Sequence, residues 1–237
     1  MNEAPLTLAE HALTIHERLL QVYGLPEWRH PLPALDELVS TILSQNTNDL
    51  NRDAAFNRLR ERFPAWEQVR DARLEDVVAA IRPAGLANRK GPRIQAALRE
   101  ITAERGRLEL DFLRELPPEE AYARLVRFHG VGPKTAAIVM LFSLDMPAFP
   151  VDTHIHRVTG RLGLRPQNMN VEQAHGHLSG IFPPQTYAPV HLNLIRLGRE
   201  VCHARKPDCP HCPLRDMCDY ARMESPASFS PQSPPKT

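Results

Sequence analysis

The 237-residue chain is short of cysteine, of long apolar runs and of net charge, and each shortage narrows what it can be. No segment reaches the ~18 consecutive apolar residues of a bilayer-spanning helix. Residues 1–10 lack the basic and apolar stretches of a signal peptide, so the expectation is an intracellular, cytoplasmic protein with no membrane partner. There is no internal repeat, and no run of alternating apolar and polar residues long enough to specify a strand. That leaves helices. With 42% hydrophobic content the chain can bury one large core or two modest ones. The net charge of +1 is unevenly spread: residues 1–50 carry two arginines against seven acids, net −5, leaving +6 for residues 51–237. A nucleic-acid footprint is therefore expected in the later part.

The few cysteines are clustered. Cys202, Cys209, Cys212 and Cys218 are the only four, separated by six, two and five residues. Such spacing suits one four-ligand site rather than a disulfide framework. Pro207, Pro210 and Pro213 mark the stretch as a loop, where free thiols would oxidise. Ligand chemistry alone leaves zinc and an iron–sulfur cluster both open.

Helical periodicity runs through most of the chain. It predicts helices over Leu6–Tyr23, Leu35–Gln45, Asn51–Phe63, Leu74–Ile81, Arg93–Arg105, Glu119–Phe128, Lys134–Leu144, Val171–Ile181 and Pro189–Val201. Pro64, Pro83-Ala84-Gly85 and Gly91-Pro92 separate several of them, and many short helices with short loops predict an all-α fold. The Ser- and Pro-rich stretch 225–237 is expected to be a disordered tail.

Two of these helices flank His129-Gly130-Val131-Gly132-Pro133-Lys134-Thr135-Ala136. The glycines permit positive φ and a close backbone approach, and Pro133 suits the first turn of the next helix. Backbone N–H groups of Gly130, Val131 and Gly132, with the positive helix end, could hold a phosphate; the same residues could also be only a tight corner. Asp152 follows Lys134 by 18 residues, within Pro150-Val151-Asp152-Thr153-His154-Ile155-His156-Arg157-Val158. Taken alone, Lys134 fits a phosphate-binding lysine and Asp152 an N-cap.

The Gly-Val-Gly-Pro-Lys-Thr-Ala and Pro-Val-Asp-Thr-His-Ile-His-Arg-Val segments, with the 6-2-5 cysteine spacing, resemble the endonuclease III family of helix-hairpin-helix DNA glycosylases. The likeness runs from about Leu38 to Tyr220. It implies a two-lobed fold, with a hairpin lobe over 36–146, a second lobe from 1–35 plus 147–224, and DNA between them. It implies a [4Fe–4S] cluster on the four cysteines, Lys134 as amine nucleophile and Asp152 as its acidic partner. An ordinary lysine titrates at about 10.4, so Lys134 must lose its proton to act; burial beside the apolar helix and the positive helix end are expected to help.

Gln45, in Leu43-Ser44-Gln45-Asn46-Thr47, resembles the family residue that fills the gap left by an extruded nucleotide, and Leu86, in Gly85-Leu86-Ala87-Asn88-Arg89-Lys90, the residue that wedges the opposite strand. On chemistry alone Gln45 is equally a polar helix end. Arg89 and Lys90 open a segment to Arg107 with six Lys or Arg against two Glu, expected to track phosphates. Arg196, Arg199, Arg205 and Lys206 are expected beside the cluster as DNA backbone contacts, and His154 and His156 to be supporting polar residues. The implied activity is base excision of oxidised or fragmented pyrimidines from double-stranded DNA, by a monomer, followed by strand nicking.

The resemblance has gaps. Phe128-His129 stands where the family commonly has Leu-Pro, Ala137 where some members are polar, and Asn46-Thr47-Asn48 follows Gln45. Two rival functions are a mismatch-type monofunctional glycosylase and a non-catalytic DNA-binding protein of the same fold. Against the first, Leu38–Asn48 contains no acid and a lysine is present at 134.

Overall fold

The computed structural model describes residues 6–27 and 31–224, and among these every regular element is a helix. The expected tail over 225–237 lies outside the described residues, as do the first five residues of the chain. No helix of the described residues is long and apolar enough to cross a membrane. The chain divides into two compact units, Glu27–Pro150, and Met1–Pro26 with Val151–Thr237, beside the limits of 36 and 146 expected from sequence.

The unit Glu27–Pro150 is built around two helices that are buried over most of their length. In α2, Ala34–Ser44, nine residues are buried, and in α8, Pro133–Phe142, seven are. Beyond Thr135, α8 is apolar on every side, as a core helix is, and α2 packs on it, its buried Thr41 hydroxyl donating to Glu37 Oε1 (3.1 Å). Around them lie α3 (Asp49–Arg62), α4 (Trp66–Asp71), α5 (Leu74–Ala80), α6 (Ala87–Arg105) and α7 (Pro118–Leu125). Polar side chains close the joints. Trp66 donates its indole N–H to Asp36 Oδ1 (2.6 Å), tying α4 to α2. Gln95 of α6 donates to the Val69 and Ala72 carbonyls (both 2.9 Å), which α4 leaves unsatisfied at its end. Arg114 donates to the Leu144 carbonyl (2.7 Å) and to that of Ser143, doing the same beyond the end of α8.

One boundary differs from the sequence reading. Gly91-Pro92 was expected to stand before a helix beginning at Arg93, yet α6 starts at Ala87 and carries Pro92 inside it. The carbonyl that Pro92 cannot serve belongs to Asn88, an exposed residue whose carbonyl can turn to water. Gly91 has its own reason to be there: a Cβ on it would lie 2.9 Å from Val78 Cγ2, so α5 and α6 touch at a contact that only glycine allows.

The other unit contains α1 (Leu8–Tyr23), α9 (Thr153–Arg161), α10 (Val171–Ile181), α11 (Tyr187–Glu200) and α12 (Asp219–Glu224). Helix α11 packs on α9 and α1, burying Val190, Leu194 and Leu197 in a core shared with Ile15, Leu19, Ile155 and Val158. Thr7 and Glu10 form a reciprocal capping box at the start of α1, and Asn170 and Gln173 form another at α10. After α11 the chain leaves regular structure for the cysteine loop.

Candidate active site and iron–sulfur centre

The hairpin forms where α7 ends and α8 begins. Gly130 sits at φ +82°, a conformation open to glycine, and Gly132 is the N-cap of α8. The Phe128-His129 departure is accommodated locally. Phe128 is buried in the core, and His129, which unlike proline has an N–H, donates it to Glu100 Oε2 of α6 (2.7 Å). The first-turn N–H groups of Lys134 and Thr135 have no intrahelical acceptor, as at any helix start.

Lys134 is the second residue of α8, and its neighbours Thr135–Met140 are buried while it is exposed. The burial expected for it is therefore not found. Position two of the helix projects away from the packed side of α8, leaving the amine without a protein partner among the described residues. Asp152 is half-buried and caps α9, Oδ1 accepting from the Ile155 N–H at 2.8 Å. The N-cap reading of Asp152 is thus correct as far as Oδ1 goes, and Oδ2 has no hydrogen bond among the described residues.

Gln45 and Leu86 lie at the ends of two segments joined through one side chain. Lys90, expected to face phosphate, is instead 1% exposed, its Nζ donating to the Leu43 carbonyl (2.7 Å) and the Ala84 carbonyl (2.8 Å). It cannot contact DNA, because its stem runs through the core to cap α2. Burial lowers its pKa from the ordinary 10.5 to about 8. Each carbonyl lies two residues before a residue with an expected DNA role. Leu86 is 47% exposed and left-handed (φ +50°, ψ +30°), a conformation that costs a non-glycine residue roughly 1–2 kcal/mol. Gln45 ends α2, its Nε2 donating to the Gly130 carbonyl (3.4 Å) and its Oε1 accepting from Arg93 Nη1 (3.0 Å). The structure thus brings Gln45 to the hairpin and fixes Leu86 nearby in the chain of bonds through Lys90. Arg89 is exposed. Arg93 was visible in the sequence only as one of six basic residues; nothing in its spacing marked it as the partner of Gln45.

The cysteines form no disulfide, and all four line one cavity, with Arg161, Arg215 and Tyr220 among its walls. Among the described residues no three His, Cys, Asp or Glu side chains are placed to hold a single metal ion. Burial pushes the Cys212 thiol up to about 11 and raises that of Cys218. Arg161 donates from Nη1 to Cys202 Sγ at 3.2 Å while its guanidinium lies 4.6 Å over the Tyr220 ring. Arg157 donates to the Cys202 carbonyl (3.0 Å). None of Arg196, Arg199, Arg205 and Lys206 lines the cavity; Arg196 is taken by Glu200 (3.0 Å) and the Tyr23 ring (4.4 Å). The cation bonded to a sulfur comes from α9, where Arg157 and Arg161, four residues apart, hold the Cys202 carbonyl and Sγ, while Arg215 lines the cavity from the loop itself. His156 and His154 are supporting residues, meeting the Met169 carbonyl (2.9 Å) and Arg157 (3.1 Å).

Comparison with known proteins agrees with this geometry. The profile of the HhH-GPD superfamily of base excision DNA repair proteins matches residues 39–184, and that of the iron-sulfur binding domain of endonuclease III matches residues 202–218. The chain is 37% identical over 172 residues to a putative DNA glycosylase of Arabidopsis thaliana, covering 73% of this chain and 59% of the plant protein. It is 31% identical over 185 residues to endonuclease III of Thermotoga maritima, covering 78% of this chain and 82% of that protein. A solved non-covalent endonuclease III–DNA complex superposes with a TM-score of 0.79 at 26% identity, covering 93% of this chain and 99% of that one. The matching iron–sulfur profile resolves what spacing left open, and the four cysteines are ligands of a [4Fe–4S] cluster.

Two outcomes follow. Replacing Lys90 by Met leaves two buried carbonyls without a donor, at about 1–3 kcal/mol each, measurable by urea unfolding. Because folding depresses this lysine's pKa, the folded state sheds its proton first. Wild-type stability relative to Lys90→Met therefore rises with pH between about 8 and 10.5. Cys212→Ala is expected to lose bound iron and the visible absorbance of the cluster, read by iron analysis and spectroscopy on freshly purified protein.

Proposed function

Because the chain belongs to the endonuclease III branch of the HhH-GPD superfamily of base excision DNA repair proteins, we propose that it is a bifunctional DNA glycosylase and abasic-site lyase acting on oxidised or ring-fragmented pyrimidines in duplex DNA. The observation that carries the reading is an exposed, unpartnered lysine amine at the start of a helix entered through a glycine hairpin.

The N–H groups of Gly130 and Gly132, with the positive end of α8, suit a phosphate of the damaged strand, held without reading sequence, whereas the Val131 N–H expected beside them is already donated to the Phe128 carbonyl (3.0 Å). Arg89 adds a salt-dependent phosphate contact. Extruding a nucleotide costs a few kcal/mol, least for a damaged base. Gln45 enters the gap and Leu86 wedges the facing strand. DNA laid over Lys134 removes the water that the free protein leaves around the exposed amine.

The lysine nitrogen then bonds to C1′ as the glycosidic bond breaks and the base leaves. Loss of a proton from nitrogen and opening of the sugar give a Schiff base, from which β-elimination expels the 3′ phosphate. Asp152 Oδ2 supports this step, accepting the lysine proton or facing the cationic sugar. The [4Fe–4S] cluster, when bound, ties four points of one loop together. The same reading has the protein work as a monomer inside the cell.

The test is a duplex with one oxidised pyrimidine, its products resolved with and without alkali. Wild type is expected to nick without alkali, Lys134→Ala to lose nicking, and Asp152→Asn to lose about 10²–10⁴ in rate while still binding DNA. Base release that needs alkali for nicking would make the enzyme monofunctional, and binding without release would overturn the enzymatic reading.

A further inference from the structure

Gln45 does not reach the hairpin unaided. Its Oε1 accepts from Arg93 Nη1 at 3.0 Å, and since arginine has no acceptor this bond fixes which way the amide faces, turning Nε2 toward the Gly130 carbonyl. The stem of Arg93 lies beneath the hairpin: a Cβ on Gly130 would come within 3.0–3.1 Å of Arg93 Cβ, Cγ and Cδ. Gly130 is thus needed twice, for its positive φ and for this contact. No carboxylate pairs with Arg93 among the described residues, so Gln45 has no acidic competitor for its guanidinium. One turn earlier on α6, Lys90 holds the Leu43 carbonyl, fixing the backbone from which Gln45 projects.

We propose that Arg93 is a positioning residue that pre-organises Gln45 for insertion, holding its amide in one orientation at the edge of the hairpin before DNA arrives. The idea rests on the insertion role of Gln45 given above. A free glutamine end loses rotamer entropy when it enters the duplex; one already held by Arg93 has lost most of it on folding. Arg93 acts through Gln45, so its removal has no further effect once Gln45 is gone. A direct phosphate contact by Arg93 would behave otherwise, adding to the effect of Gln45 and to the salt dependence of binding.

The measurement uses the full-length, cluster-loaded protein and a duplex carrying a tetrahydrofuran abasic analogue opposite 2-aminopurine, whose fluorescence rises when the base is unstacked by an inserted side chain. Arg93→Met is the variant of choice because it keeps the stem under Gly130 and removes only the donor. The expected result is a rise in wild type that is reduced about 2- to 10-fold by Arg93→Met, the range of one hydrogen bond. Gln45→Ala is expected to reduce it at least as much, and the double variant no further, with the salt slope of binding unchanged by Arg93→Met. Additive losses, a salt slope smaller by about one, a wild-type signal in Arg93→Met, or no rise in wild type would each overturn the inference. The readout involves no bond breaking, so a protein that inserts Gln45 but excises no base would sink the proposed activity while leaving this inference standing.

Discussion

A buried ammonium holds together the segments of the hairpin unit that carry Gln45 and Leu86. Lys90 reaches from α6 into the core and donates to carbonyls at the end of α2 and in the turn before α6. An ammonium out of water is costly unless its N–H groups are met, and here both acceptors are carbonyls that would otherwise be orphaned. The strained backbone of Leu86 is tolerated because the residues on either side of it are fixed, Ala84 by this bond and Ala87 by the helix it opens. Helix α6 continues the same work along its length, with Arg93 on Gln45, Gln95 on the end of α4, and Glu100 on the His129 N–H.

What could be read from the sequence was what chemistry confines to a few consecutive residues. The glycine pair, Pro133 and Lys134 had to be adjacent to make a helix start that faces outward. The four cysteines had to be close in sequence because a loop of this length closes around one centre, although choosing iron–sulfur over zinc took a family likeness. The all-α fold was legible from periodicity, and α8 from an apolar run too short for a membrane and too uniform for a surface.

What was not legible depended on contacts between distant residues. Lys90 looked like its neighbour Arg89, and only the packing of α6 against α2 separates a core cap from an exposed cation. The same helix concealed its own start, because Gly91-Pro92 reads as a break unless one knows that α5 presses on Gly91 and that Asn88 faces water. Near the cysteines, Arg196 and its neighbours were closest in sequence, but Arg161 reaches Cys202 across 41 residues. Lys134 was expected to be buried because its helix is; its place in the first turn sets it outside.

The exposed amine of Lys134 is the centre of the proposed chemistry, and borohydride reduction in the presence of a duplex with one abasic site examines it most directly. Reduction turns a transient Schiff base into a stable protein–DNA bond. The account predicts a covalent adduct with wild type, mapped by mass spectrometry to Lys134, and none with Lys134→Ala that still binds the duplex. An undiminished adduct in that variant, or a wild type that binds the abasic duplex and cannot be trapped, would contradict it.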